Sequence, residues 1–460
     1  MEKWLRAALD YLPRWIEHQM RLVQQPGCAL AVAHRGKPLL DLALGVADER
    51  RGEALTPAHR FRVASHSKTF TAAGLLRLRD QGRCALDDAV GRWVDGLHPA
   101  VGRTTLAQLL SHSAGLVRDG NDAGQWAQRR AFLDEASLRA DLANGPVIDA
   151  NTRFKYSNHG YGLAGLAIEA ITGEAYRDWI AREVVAASGL ERTQPDAPIA
   201  PGTPVAFGHT TRLPLGRRLV VPAQMPTHAL AAATGFVSTA GDLARFFASL
   251  APQARRSVLS ADARREMTRR HWRDPQLAFE RGYGLGLMNG TQAGWDWFGH
   301  GGSFPGTLSR TVTLPALELT VSILTNASDG PAQAWVDGTM HLLQGFSRYG
   351  APTRRSAAWT GRWWMLAGPV DLLPVRDRVL VANPAAPNPL LDASEIVPGR
   401  KARDGSLTGT IAQAVGVGSH GEGARLELDA RGRAKAFWLG GTKLLAEKAL
   451  AKEMRAKFEG

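Results

Sequence analysis

The sequence predicts an α+β fold in two parts. The first is an antiparallel sheet flanked by helices, with a mainly helical subdomain. The second is a small C-terminal β domain, for which a barrel is one closure. Three observations predict this. Strand-like runs near the N-terminus and again from about residue 282 enclose a long helical stretch, the order of an antiparallel sheet assembled from both ends of a segment. Beyond "APTRRSA" (351–357) the texture changes to short β-like runs broken by Gly, Pro, Asn and Asp. At 460 residues the chain exceeds what one compact core accommodates. The expected boundary divides 1–350 from 351–460.

Each element has its own signal. Trp4, Leu5, Ala8, Leu9 and Leu12 recur at helical spacing, so the N-terminus reads as an amphipathic helix. In "PGCALAVAHRGKPLLDLALGVAD", two β-rich runs flank His34-Arg35-Gly36-Lys37 and predict a hairpin. "FRVASHSKTFTAAGLLRL" (61–78) opens an apolar, alanine-rich helix, and helical segments continue to about residue 200. A Pro/Gly/Thr-rich passage follows, over roughly 195–230. In "STAGDLARFFASL", Ser238 or Thr239 caps the next helix, and Thr239 with Asp242 has capping-box spacing. "GYGLGLMNG", "WDWFGHGG" and "LSRTVTLPALELTVSILTNAS" read as a strand series with a turn at Pro315-Ala316. "PAQAWVDGTMHLLQGF" is a helix with proline at its start, and "KLLAEKALAKEMRAKF" a charged amphipathic helix that ends the β domain.

Composition excludes several classes. No run approaches the roughly 18 apolar residues that span a bilayer, so no membrane association is expected. The N-terminus mixes charges through its apolar positions and lacks the features of a secretory signal, which predicts a cytoplasmic location. The formal charge of +13 raises nucleic acid as a partner, but the arginines are dispersed and form no aromatic-interleaved basic stripe. Cys28 and Cys84 are the only cysteines and sit in no Cys/His cluster, so two buried thiols are expected and no metal site. Neither G-x-S-x-G nor H-E-x-x-H occurs.

Lysine is scarce: ten against 46 arginines, with only Lys155 between Lys68 and Lys401. Ser65 and Lys68 nevertheless stand at i and i+3, neighbours on one helix face. The apolar residues that follow would desolvate Lys68 and favour its neutral form, which accepts a proton from the Ser65 hydroxyl. A capping serine beside a snorkelling lysine is the bland alternative. Two further stretches carry groups suited to acyl transfer. "FKYSNHGYG" places Tyr156, which can pass a proton, beside Asn158, an orienting amide. "WFGHGGSFPG" places His300, Gly301 and Gly302 at the end of a β-like run, where glycines permit close approach and the Ser303 amide can face an oxyanion.

Together and in this order, S-x-x-K, Y-x-N and the His-Gly-Gly stretch resemble the serine β-lactamase and penicillin-binding-protein superfamily, whose third motif is K-T-G. The match is closest to the class C β-lactamase-like branch with its esterases and D-aminopeptidases. "LLSHSAGL" (109–116), "QGRCALDDAV" (81–90) and "TGFVSTAGDLARF" (234–246) are similar to that branch's framework motifs, and "WTGRWW" (359–364) to the start of the small β domain some members carry. The resemblance implies a β-lactamase/transpeptidase-like domain and a serine hydrolase without cofactor, working through an acyl-enzyme. Ser65 would be the nucleophile, Lys68 and Tyr156 would share the base and acid roles, and Asn158 would orient. His300, Gly301 and Gly302 would line the pocket, and the Ser65 and Ser303 amides would form the oxyanion hole. The third motif departs from the pattern, since His300 and Gly301 replace a lysine and a threonine that hold substrate carboxylates. The expected substrates are therefore small amides, esters or short peptides, with a D-aminopeptidase or amidase ahead of a carboxylesterase, a weak β-lactamase or DD-peptidase, or a non-catalytic binder. Homo-oligomerisation stays open.

Overall fold

The structure is a computed structural model and describes residues 2–273, 281–415 and 418–459. The chain divides by contacts into two compact units, one of residues 25–336 and one of residues 1–24 with 337–460. The N-terminal helix and the stretch 337–350 thus group with the C-terminal β domain, whereas the sequence pattern suggested a division at 350.

In the unit 25–336 the helices pack on a nine-stranded antiparallel sheet. Its order is Glu53–Ala54, Lys37–Asp48, Gly27–His34, Leu319–Thr325, Thr307–Leu314, Trp295–Phe304, Met288–Gln292, Arg281–Tyr283 and Trp272–Arg273. Gly27–His34 lies beside Leu319–Thr325 with Leu30 opposite Ile323, so the sheet closes between the two ends of the segment, as expected. The hairpin turn falls at Arg35 and Gly36, both with positive φ. The stretch "GYGLGLMNG" is not one strand: Gly284–Leu287 turn between Arg281–Tyr283 and Met288–Gln292.

The helix Ser67–Asp80 has eleven buried residues and no exposed face in its first two turns, which makes it the central helix of this unit. Phe70 is its anchor, stacked 4.3 Å from Phe236 and 4.0 Å from Phe246. Phe246 belongs to the helix Ala240–Ser249, whose Thr239 cap accepts from the Asp242 amide.

In the other unit, eight antiparallel strands from Gly361–Met365 to Thr442–Leu445 form a closed barrel. Its interior is filled by Trp359, Trp363, Leu372, Val379, Ile396, Ile411, Leu426, Phe437 and Leu444. The N-terminal helix Lys3–Val23 is joined to this unit by Tyr11 Oη donating to Asp371 Oδ2 (2.7 Å) and Gln19 Nε2 to the Pro384 carbonyl (2.7 Å). The final helix is shorter than its pattern suggested, Glu447–Phe458, because "TKLL" pairs as the last strand. Cys28 is fully buried and Cys84 partly so. His420 is exposed and accepts from the Ala414 amide. Among the described residues, no helix is long and apolar enough to cross a membrane.

Candidate active site

Ser65 lies in a single 3₁₀ turn, Ala64–His66, between the short strand Phe61–Arg62 and the helix Ser67–Asp80. Ala64 holds φ +45°, a left-handed conformation that costs a non-glycine residue of order 1 kcal/mol and persists where packing imposes it. The Ser67 hydroxyl, which donates to the Ala64 carbonyl and accepts from the Phe236 amide (2.9 Å), is part of that packing. Ser65 is left half-buried at the start of the central helix.

Lys68 is 0% exposed. Its Nζ lies 3.2 Å from Ser65 Oγ, 2.7 Å from Asn158 Oδ1 and 2.8 Å from the Ala233 carbonyl. The ring centroids of Tyr156 and Tyr161 are 4.7 and 5.4 Å from it. The rings and the Asp119 carboxylate favour a cation here, but desolvation outweighs them and pushes the ammonium pKa well below that of a free lysine. The partners accommodate either charge state. Two of them, the Asn158 amide oxygen and the Ala233 carbonyl, can only accept. A neutral amine has two N–H groups for those acceptors and one lone pair, which remains for the Ser65 hydroxyl to donate to.

Tyr156 Oη donates to Ser65 Oγ (2.7 Å), and burial raises its pKa above that of a free phenol, so it stays protonated at neutral pH. Asn158 opens the helix Asn158–Thr172 behind the Ser157 cap, and its Nδ2 donates to Asp119 Oδ1 (2.6 Å). The carboxylate thereby fixes the amide so that its oxygen faces Lys68. Asp119 also accepts from Trp126 Nε1 (3.1 Å) and Arg118 Nε (3.0 Å). The exposed Arg118 guanidinium lies 5.1 Å over the Tyr156 ring.

The third motif lies on the strand Trp295–Phe304. A Cβ on Gly302 would stand 2.1 Å from the Val63 carbonyl oxygen, so only glycine lets this strand run against the segment that carries Ser65. Gly301 is different: a Cβ there meets nothing closer than 3.4 Å. Ser303 is exposed just beyond. His300 departs from expectation. It does not present an open face to a substrate, because it is 0% exposed and both ring nitrogens are engaged. Nδ1 donates to the Gly301 carbonyl (2.7 Å), which leaves Nε2 to accept from Tyr283 Oη (2.9 Å). Burial and the nearby His66 hold its pKa well below the usual imidazole range, so the ring is neutral.

Three motifs spread over more than 200 residues of chain thus meet in one region. Ser65, Lys68, Tyr156 and Asn158 are joined directly. His300 reaches them only through packing, since the Tyr283 ring lies 4.8 Å from His112, and His112 lies 4.1 Å from Tyr156. Asp119 and Ala233 lie outside the motif stretches; Tyr161 and His112 fall within "FKYSNHGYG" and "LLSHSAGL", but the motif pattern gives them no role. Tyr161 could have been found, because it falls one helical turn after Asn158. Ala233 acts through its backbone, and Asp119 sits in a loop with no local signature.

An alcohol, a desolvated amine and a phenol held in this geometry beside an antiparallel sheet fit the serine hydrolases. The sequence profile of the beta-lactamase family matches residues 12–344, and the chain belongs to that family. Protein flp of Staphylococcus aureus (strain COL) is 27% identical over 172 residues, 36% of this chain; the chain spans about a third (34%) of that relative's length. The octameric penicillin-binding protein homologue from Pyrococcus abyssi superposes with a TM-score of 0.66 at 20% identity, over 95% of this chain and 100% of that one, a likeness of fold. A D-stereospecific amidohydrolase from Streptomyces sp. superposes with a TM-score of 0.61 at 26% identity, over 71% of this chain and 98% of that one.

Proposed function

We propose that the chain hydrolyses small amides through an acyl-enzyme on Ser65, with a D-aminopeptidase or D-amino-acid amidase type of substrate. The observation that carries the reading is Lys68 Nζ, sealed from solvent 3.2 Å from Ser65 Oγ, where burial favours the neutral amine that can take the hydroxyl proton. As Ser65 Oγ attacks the carbonyl carbon, its proton passes to Lys68 Nζ and the carbonyl oxygen becomes an oxyanion, facing the Ser65 and Ser303 amides. The C–N bond then breaks, and the amine leaves with a proton relayed through Tyr156. Water repeats the sequence on the acyl ester, releasing the acid and restoring Ser65. Asn158 holds Lys68 in place, and Gly302 keeps the strand close to Ser65.

The amide preference draws support from the Streptomyces amidohydrolase and from His300. A neutral, buried imidazole offers no cation for the carboxylate of a penicillin or a terminal D-alanine. The test is a panel of D-amino-acid p-nitroanilides, p-nitrophenyl esters and a chromogenic cephalosporin. Wild type is expected to cleave the D-anilides best and the cephalosporin slowest, and Ser65→Ala to lose all three activities with an unchanged melting temperature. Near-normal turnover by Ser65→Ala would remove the nucleophile assignment; a cephalosporin rate above the anilide rate would remove the amidase reading.

For assembly we infer a homo-oligomer, supported by the octameric state of the Pyrococcus abyssi homologue. Sedimentation is expected to give a mass above one chain, and a purely monomeric profile at micromolar concentration would end that inference.

A further inference from the structure

The barrel unit carries a second concavity with its own chemistry. It has a volume of about 480 Å³ and is lined by Arg354, Arg355, Ala358, Trp359, Gly399, Arg400, Lys401 and Leu407. That volume falls in the range that takes small ligands.

Its walls are fixed by backbone structure. One is the turn at 353–356, where Thr353 Oγ1 and Ser356 Oγ each accept from the other's amide. The other is an irregularity between Pro398 and Lys401, in the pairing of Ser394–Lys401 with Leu407–Gln413. Arg355 Nε donates to the Gly399 carbonyl (3.1 Å) and ties the two walls together. Trp359 (1% exposed) and Leu407 (8%) form an apolar floor that belongs to the barrel core.

The rim is cationic and uncompensated. Elsewhere in this unit Arg362 pairs with Asp371, Arg378 with Glu395, Arg425 with Glu427 and Arg433 with Asp429, while Arg376, Arg403 and Arg431 stand singly, without a carboxylate among the described residues. The rim differs in gathering four cations around one concavity. Among the described residues, no carboxylate pairs with Arg354, Arg355, Arg400 or Lys401. Of the acids in the adjoining hairpin, Glu395 pairs with Arg378, and Asp404 accepts from the Ser406 amide (3.0 Å) and forms no ion pair with the rim. Four cations around one concavity repel one another unless an anion joins them, and guanidinium forks match oxyanions in geometry as well as charge. A solvated basic face would satisfy the charges alone, without the walled cavity or the apolar floor.

We propose that this pocket binds a small organic anion, with a phosphate or carboxylate on an apolar body. The head group lies among Arg354, Arg400 and Lys401, and the body rests on Trp359 and Leu407. Calorimetric titration of the full chain with phenyl phosphate, benzoate and inorganic phosphate tests it, and the tighter of the two aryl anions identifies the head group. Arg354→Ala/Arg400→Ala is expected to weaken the aryl anion tenfold or more. Arg431→Ala/Lys435→Ala, which removes the same charge at exposed positions elsewhere in the unit, is expected to change it less than twofold. Equal weakening in both double variants would reduce the effect to net charge and overturn the site, as would no saturable binding below 10 mM. Inorganic phosphate binding as tightly as phenyl phosphate would overturn the role of the apolar floor. All four substituted side chains are exposed, so both double variants are expected to fold, with circular dichroism melts matching wild type as the control.

Discussion

Lys68→Met is expected to lower the acylation rate by about 10⁴-fold or more, because positioned proton transfer and nucleophile activation are lost together. The same substitution reports on the charge of Lys68. Burial lowers the folded-state pKa of this lysine, so between that value and about 10.4, the value of a free lysine, the unfolded chain holds a proton that the folded chain does not. The resulting destabilisation is complete below the folded pKa and fades as pH rises toward the unfolded one. Within the interval the stability of wild type relative to Lys68→Met should climb by about 1.4 kcal/mol per pH unit. The methionine also leaves the Asn158 and Ala233 oxygens without their donor, a constant offset that the pH series cancels. Paired thermal melts at several pH values from 6 to 10 measure the slope. A difference that stays flat across that range, with less than a tenfold loss of rate, would mean that Lys68 remains an ammonium and that another group deprotonates Ser65.

His112→Leu is expected to lower kcat about 10²-fold with little change in KM. His112 touches no reacting atom; it positions the second motif. Its Nδ1 accepts from the Ser157 amide (3.1 Å), its carbonyl accepts from the Lys155 amide (2.8 Å), and its ring packs 4.1 Å from Tyr156. Leucine keeps the bulk but removes the acceptor, leaving a buried amide unpaired beside the proposed acid. The backbone at His112 is left-handed, φ +60°. His112→Asn is therefore the informative partner, since asparagine tolerates that conformation and offers a carbonyl oxygen near the Nδ1 position. Asn is expected to restore most of kcat and to melt above Leu, so the two rates are compared at a temperature where both variants are folded. If Asn and Leu lose rate equally, the hydrogen bond to Ser157 is not what positions Tyr156.

The parts of this molecule that sequence made legible are those with short-range causes. Arg35-Gly36 marks a hairpin because two left-handed residues are needed there, and Thr239 marks a helix start because its hydroxyl serves the Asp242 amide. Ser65 and Lys68 are legible as a pair because helical spacing alone makes them neighbours. His300 shows the limit. Its identity in the third motif was evident, but its burial depends on the Tyr283 hydroxyl, which comes from a different strand, and on the sheet packed around it. Asp119 and Ala233 are invisible for the same reason: tertiary structure delivers a carboxylate and a carbonyl to Lys68 from 51 and 165 positions away in the chain. The sequence pattern runs the final helix back over "KLL" because these residues satisfy a strand and a helix equally until the barrel neighbour is known.

The sealing of Lys68 also governs traffic with the solvent. With no surface open to water, the amine can exchange hydrogen with bulk only by way of Ser65 and Tyr156. While the tetrahedral adduct occupies Ser65, that route is closed to the buffer, so the proton captured on attack is held until the C–N bond breaks. The departing amine then receives the enzyme's own proton rather than one from the buffer, and turnover should be indifferent to buffer concentration at constant pH.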